Sequence, residues 1–156
     1  MGTFTWDIVN TKTNKYFQLH ISDSLKEMQE HSKELGDIFN IPGDPYEHEA
    51  QFIPFGDDTF VKNDEYFEYK DCYGYMLLAK DHLSLGILYH ELFHVSKYYD
   101  GYINKSNMNY SDIVDEERLA YLLGDNVSSV TQILIDCKYL KKIKQLQDLD
   151  IKYLKE

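Results

Sequence analysis

Cysteine, arginine and proline are all scarce in this chain of 156 residues. Two cysteines, Cys72 and Cys137, are too few for a disulfide-stapled scaffold, so the expectation is a reduced, intracellular protein. Three prolines and eight glycines exclude a collagen-like or low-complexity chain. No apolar run approaches the roughly 20 residues of a membrane span. The opening residues MGTFTWDIV lack the basic-then-apolar profile of a secretory leader. They also miss the myristoylation pattern, because Trp6 stands where Ser or Thr is required. Positive charge is in deficit: 16 basic residues, of which only Arg118 is an arginine, face 27 carboxylates for a net charge of −11. Such a charge repels phosphate backbones and anionic lipid, so the expected partners include no nucleic acid and no membrane. The expected location is the cytoplasm.

What the chain does have is a change of pattern halfway along. Thr3–Val9 and Lys15–Ile21 alternate and are rich in β-formers, and the polar run Asn10–Asn14 between them makes a hairpin. Asp23 or Ser24 can cap a helix bearing Leu25, Met28, Leu35, Ile38 and Phe39. After a loop holding Pro42, Gly43 and Pro45, short strands are expected at Ala50–Phe55, Thr59–Lys62, Glu65–Lys70 and Tyr73–Ala79. Helical spacing then takes over. Asp81 is a candidate N-cap for an apolar helix over Leu83–Tyr99. Asp112 is a candidate N-cap for a second long helix striped by Leu119, Leu122, Leu123, Val127, Val130, Ile133 and Leu134. Helical spacing persists through a Lys-rich extension, 138–156. Strands first and helices after predict one α+β domain over 1–156.

The chemistry concentrates in His90-Glu91-Leu92-Phe93-His94. Residues four apart lie one above the other on a helix, so both imidazoles can reach one metal ion. Neutral imidazole suits Zn²⁺, and two histidines leave room for a third protein ligand and a water. Glu91 points to a neighbouring angle, beside that water rather than on the metal, where it can act as general base. From Leu83 to Val95 only Ser84, His90, Glu91 and His94 are strongly polar, which predicts a helix buried nearly all round. Burying these three groups without partners would cost about 1–3 kcal/mol each, and a metal removes that cost.

A third ligand is expected from Asp112–Tyr121, where Glu116 and Glu117 differ by about 100° around the helix. Periodicity leaves both open. Glu116 shares its face with Leu119 and Leu123, and Glu117 shares its face with Ala120, Tyr121 and Gly124. Secondary candidates are His82 and the tyrosines Tyr98, Tyr99, Tyr102, Tyr110 and Tyr121 as oxyanion donors. Glu47-His48-Glu49 is a conceivable second ion site, although its Pro-Gly loop favours a solvated one.

The stretch Leu83–Gly124 resembles the gluzincin-type, His-Glu-x-x-His…Glu zinc metallopeptidases. It is most similar to small metallopeptidases encoded by phages and prophages, in which the His-Glu-x-x-His helix precedes Asp-Glu-x-x-Ala-Tyr-Leu-x-Gly. Here the matching run is Glu116-Glu117-Arg118-Leu119-Ala120-Tyr121-Leu122-Leu123-Gly124, and Ser96 departs from the usual apolar residue. The resemblance implies a zincin-like fold and a hydrolase with one Zn²⁺ per chain. It also implies His90, His94 and Glu117 as ligands, Glu91 as catalytic base, and a peptide or protein as substrate. The usual zincin arrangement would lay that substrate along an edge near Tyr73–Ala79. The alternative is a phage-type protein-binding module that engages a host protein and keeps the metal site for stability.

Overall fold

The computed structural model describes residues 3–39, 41, 43–55, 71–105 and 113–139. The strands expected at Thr59–Lys62 and Glu65–Lys70, the cap at Asp112, Tyr110 and most of the Lys-rich extension lie outside the described residues.

The chain is α+β, with a four-stranded mixed sheet and three α-helices. Strands β1 (Thr3–Asn10) and β2 (Lys15–Ser22) form the expected antiparallel hairpin. Its turn closes with the Asn14 N–H on the Asn10 carbonyl at 2.8 Å, and Asn14 takes a positive φ of 59°. Asparagine tolerates that left-handed conformation better than most residues. Helix α1 (Leu25–Phe39) follows, then β3 (Gln51–Pro54) and β4 (Cys72–Ala79). The strand order is β1-β2-β4-β3, with β4 parallel to β2 and antiparallel to β3. The sheet is therefore mixed, not wholly antiparallel, because α1 lies in the crossover that joins the parallel pair.

Alternation sorts the side chains onto two faces. On one face Met28, Leu35 and Phe39 of α1 pack against Ile53, Leu77 and Ala79. On the other, Phe17, Leu19, Ile21, Met76 and Leu78 meet Leu88, Leu92 and Val95 of α2 (Leu85–Tyr98) and Val130 and Leu134 of α3 (Ile113–Asp136). A register shift beside Tyr16 and Phe17 marks a bulge at the start of β4. A β-carbon on Gly74, just past it, would stand 2.7 Å from the Ile53 carbonyl oxygen and 2.6 Å from the Phe52 ring. Glycine is what lets β3 lie this close.

Several caps differ from expectation. Ser84, not Asp81, caps α2, its Oγ accepting from the Ile87 N–H at 3.1 Å. Asp81 instead reaches across to α1, where Oδ1 accepts from the Leu25 N–H at 2.8 Å. Helix α3 ends in a Schellman motif: Lys138 and Tyr139 N–H groups bond the Ile135 and Leu134 carbonyls, and Lys138 has φ of 60°. The chain turns there rather than running on as one helix. No helix among the described residues is long and apolar enough to cross a membrane.

Candidate metal centre

Helix α2 buries only a stripe. Leu88, Leu92 and Val95 are fully enclosed, whereas Leu85, Tyr89 and Phe93 are exposed. The expectation of burial all round is thus corrected: α2 covers the sheet with one face and forms the molecular surface with another. His90 and His94 stand on the open side, the His90 side chain being 68% exposed, while Glu91 turns inward and is 8% exposed.

The two histidines meet as the spacing requires. Their Nε2 atoms are 3.2 Å apart, with ring planes 78° to each other. Tetrahedral coordination with bonds of about 2.0–2.1 Å separates ligand nitrogens by about 3.3 Å. The two nitrogens, hydrogen-bonded to each other, are thus spaced as two ligands of one ion would be. Glu91 Oε1 lies 4.0 Å from His90 Nε2, close enough to act beside an ion without ligating it. Burial raises the Glu91 pKa above the ordinary carboxylate value. His90, His94, a hydrogen bond from the Phe52 backbone N–H and His48 pull it back down. Phe52 thus ties the base to β3.

A cavity of about 530 Å³ opens over these three residues. Strand β3 supplies one wall through Gln51, Phe52 and Pro54, the preceding loop adds His48, and the end of α2 adds Tyr98 and Tyr102. Tyr102 reaches the cavity because α2 continues into a single π-helical turn, Tyr99–Ile103, that re-aims the chain. Its ring lies 5.1 Å from that of Tyr98. Strand β4 is not the edge beside the site, as expected from sequence. It is interior, and β3 is the edge among the described residues.

Glu117 does not join this group. Helix α3 packs on the opposite side of α2: Asn126 Nδ2 donates to Ser96 Oγ at 2.9 Å, and Arg118 grips the fully buried Asp100 through two bonds of 2.7 and 3.1 Å. Ser96 is two residues past His94, about 200° around the helix. Glu116 and Glu117 are exposed, and Glu117 lines a separate groove of about 830 Å³ with Arg118, Tyr121 and the Asn10–Thr13 turn. Among the described residues, no three His, Cys, Asp or Glu side chains stand together in a way that could hold a metal. The pair His90 and His94 fits zinc; the carboxylate expected to complete it lies elsewhere.

The secondary candidates divide. Tyr98 is committed to the Phe55 carbonyl at 2.7 Å, Tyr99 bonds Thr13, and Tyr121 sits in the other groove. His82 pairs with Glu49 at 3.1 Å, and Glu47 is exposed, so Glu47-His48-Glu49 forms no common site. His48, Tyr98 and Tyr102 are the members that reach the cavity, Tyr98 with its hydroxyl already engaged. Spacing did not link His48 to the pair, since it is 42 positions from His90; only the folding of β3 against α2 brings it there. No family model matches the chain, and no curated protein and no solved structure matches it.

Proposed function

We propose that the protein is a zinc-dependent peptidase whose catalytic base is Glu91. The observation that carries this is the convergence of His90 and His94 at 3.2 Å over a buried carboxylate, at the floor of an open cavity bordered by a strand edge. A structural role for two histidines needs no carboxylate, no cavity and no exposure.

His90 and His94 would hold the ion through Nε2. Bound zinc supplies Lewis acidity, which polarises a carbonyl and acidifies water to a pKa near about 7. An extended peptide would lie along β3, where the outward Phe52 and Pro54 carbonyls can accept its N–H groups. Glu91 accepts the proton of the attacking water as the new C–O bond forms, then delivers it to the amine nitrogen as the C–N bond breaks. Its burial raises its basicity, while the Phe52 backbone N–H, His90 and His94 favour its charged form, and it remains on the cavity wall. The chain's net charge of −11 favours a neutral or basic substrate segment.

The test is Glu91→Gln, which preserves shape while removing the base. The variant is expected to fold and bind zinc like the parent, with cleavage of a flexible protein substrate lower by about a hundredfold or more. Full cleavage by the variant would refute the mechanism. Tight binding of a host protein by both forms, with no peptide cleaved in a broad library, would favour a binding module.

A further inference from the structure

We propose that His48, not Glu117, is the third protein ligand of the ion held by His90 and His94. This inference rests on the zinc reading above.

Three observations converge on it. First, His48 lines the same cavity as His90, Glu91 and His94, across from α2 on the β3 side. Second, its backbone is anchored. Asp44 Oδ1 caps the Tyr46 N–H at 2.9 Å, the His48 N–H bonds the Pro45 carbonyl, and Gln29 Nε2 donates to the Tyr46 and His48 carbonyls at 3.2 and 3.0 Å. Residue 48 is thereby pinned to α1 and held at the mouth of the site. Third, its half-buried ring makes no hydrogen bond among the described residues, so both ring nitrogens remain available. A ring held at a cavity wall beside Glu91 and without a hydrogen bond of its own is free to turn toward an ion.

Glu117 lacks each of these features. It is exposed, lines a different groove, and sits on a helix fastened to the far face of α2 by Arg118–Asp100 and Asn126–Ser96. Moving it to the histidines would break the contacts of a buried carboxylate. His48, His90 and His94 do not yet stand together as a metal set, so the proposal requires the His48 side chain to turn toward the pair within the cavity they share. Three histidines form a recognised zinc set with an open fourth position. Such a site would carry one more positive charge than a His, His, Glu site, which suits a water that must lose its proton to Glu91.

The experiment is zinc titration of the metal-free protein in competition with a chromogenic chelator, with folding checked by circular dichroism. The parent should bind one equivalent. His48→Ala should weaken zinc binding by about a hundredfold or more, since loss of a residue that merely orients a ligand costs about 10–100-fold. His48→Asp should recover part of the affinity, because carboxylate is itself a zinc ligand. It also serves if the alanine variant folds poorly. Glu117→Ala should bind as the parent does. Equal affinity in the parent and both His48 variants would overturn the inference and leave the zinc reading intact. Loss of zinc in Glu117→Ala but not in His48→Ala would overturn it in favour of α3. A parent that binds no zinc would refute the functional reading itself.

Discussion

Two histidine pairs in this molecule look alike by distance and differ in every other respect. His20 and His31 bring Nδ1 and Nε2 to 2.7 Å, and His90 and His94 bring two Nε2 atoms to 3.2 Å. The first pair lies between β2 and α1, with His20 buried against the Tyr75 ring at 4.3 Å. Its lone pairs are used up. The Gln18 amide nitrogen donates to Asp7, so the Gln18 oxygen accepts from His20 Nε2 at 2.7 Å, and His20 Nδ1 must then accept from His31. The result is one directed chain, His31 to His20 to Gln18 to Asp7. The second pair is open to a cavity, with a buried carboxylate at its side, and among the described residues its hydrogen bond is the one between its own two Nε2 atoms. Proximity of imidazoles alone is a poor sign of a metal site; a pair that faces usable space beside a carboxylate is the better one.

The largest effect that could break this contrast concerns zinc. His94→Ala should reduce zinc affinity by several orders of magnitude, while His20→Leu should leave it unchanged and lower stability instead. Chelator competition on both variants decides it. Zinc lost from His20→Leu with His94→Ala unaffected would reverse the assignment of the two pairs.

A smaller effect tests whether the pairs are mechanically separate. Strand β4 touches both regions: Tyr75 packs on His20, and Gly74 abuts Phe52, whose N–H holds Glu91. Gly74→Ala forces a β-carbon against the backbone of β3, an overpacking worth about 1–3 kcal/mol. Because β3 must give way, the Glu91 side of the molecule should be disturbed, and the His20–His31 bond should persist. Amide hydrogen exchange and histidine nuclear magnetic resonance would show which region moves. Unchanged spectra in β3 with loss of the His20 signal would disprove the separation.

Much of the fold was legible because period and punctuation agreed locally. The hairpin, α1 and its Ser24 cap, β3 and β4 all stand where alternation and turn residues put them. The pair His90 and His94 was legible for the same reason: spacing of four on one helix is a local fact. What depends on packing between elements was not. Ser96 looks like a minor blemish in an apolar helix, yet it is the buried hydroxyl that receives Asn126 and fixes which face of α2 is covered by α3. That choice carries Glu117 away from the histidines. Asp81 was read as a cap for the helix next to it in sequence, and it caps one 56 residues earlier. His48 was read only as part of a separate Glu47-His48-Glu49 cluster, because its proximity to α2 depends on how β3 pairs, not on any local pattern.

The smallest expected effect is also the most specific to the buried pair, and it is read from pH. Burial lowers the His20 pKa to about 3, with the nearby His31 adding to the effect; His31 is lowered by burial and partly restored by Glu34. In the unfolded chain each would titrate near its ordinary 6.5. Below that pH the unfolded state binds more protons than the folded one, so the stability owed to neutral His20 is complete above about pH 6.5 and is lost as pH falls toward 3. The slope approaches about 1.4 kcal/mol per pH unit for one such group. In His20→Leu this contribution vanishes, so the parent's stability advantage over the variant should shrink between pH 6.5 and 5. Carboxylates elsewhere titrate in both proteins and cancel in the difference. Urea unfolding of the two metal-free proteins at several pH values measures it. Parallel stability curves would mean that His20 takes up its proton as readily in the fold as in the open chain, and the closed chain from His31 to Asp7 would then have to be abandoned.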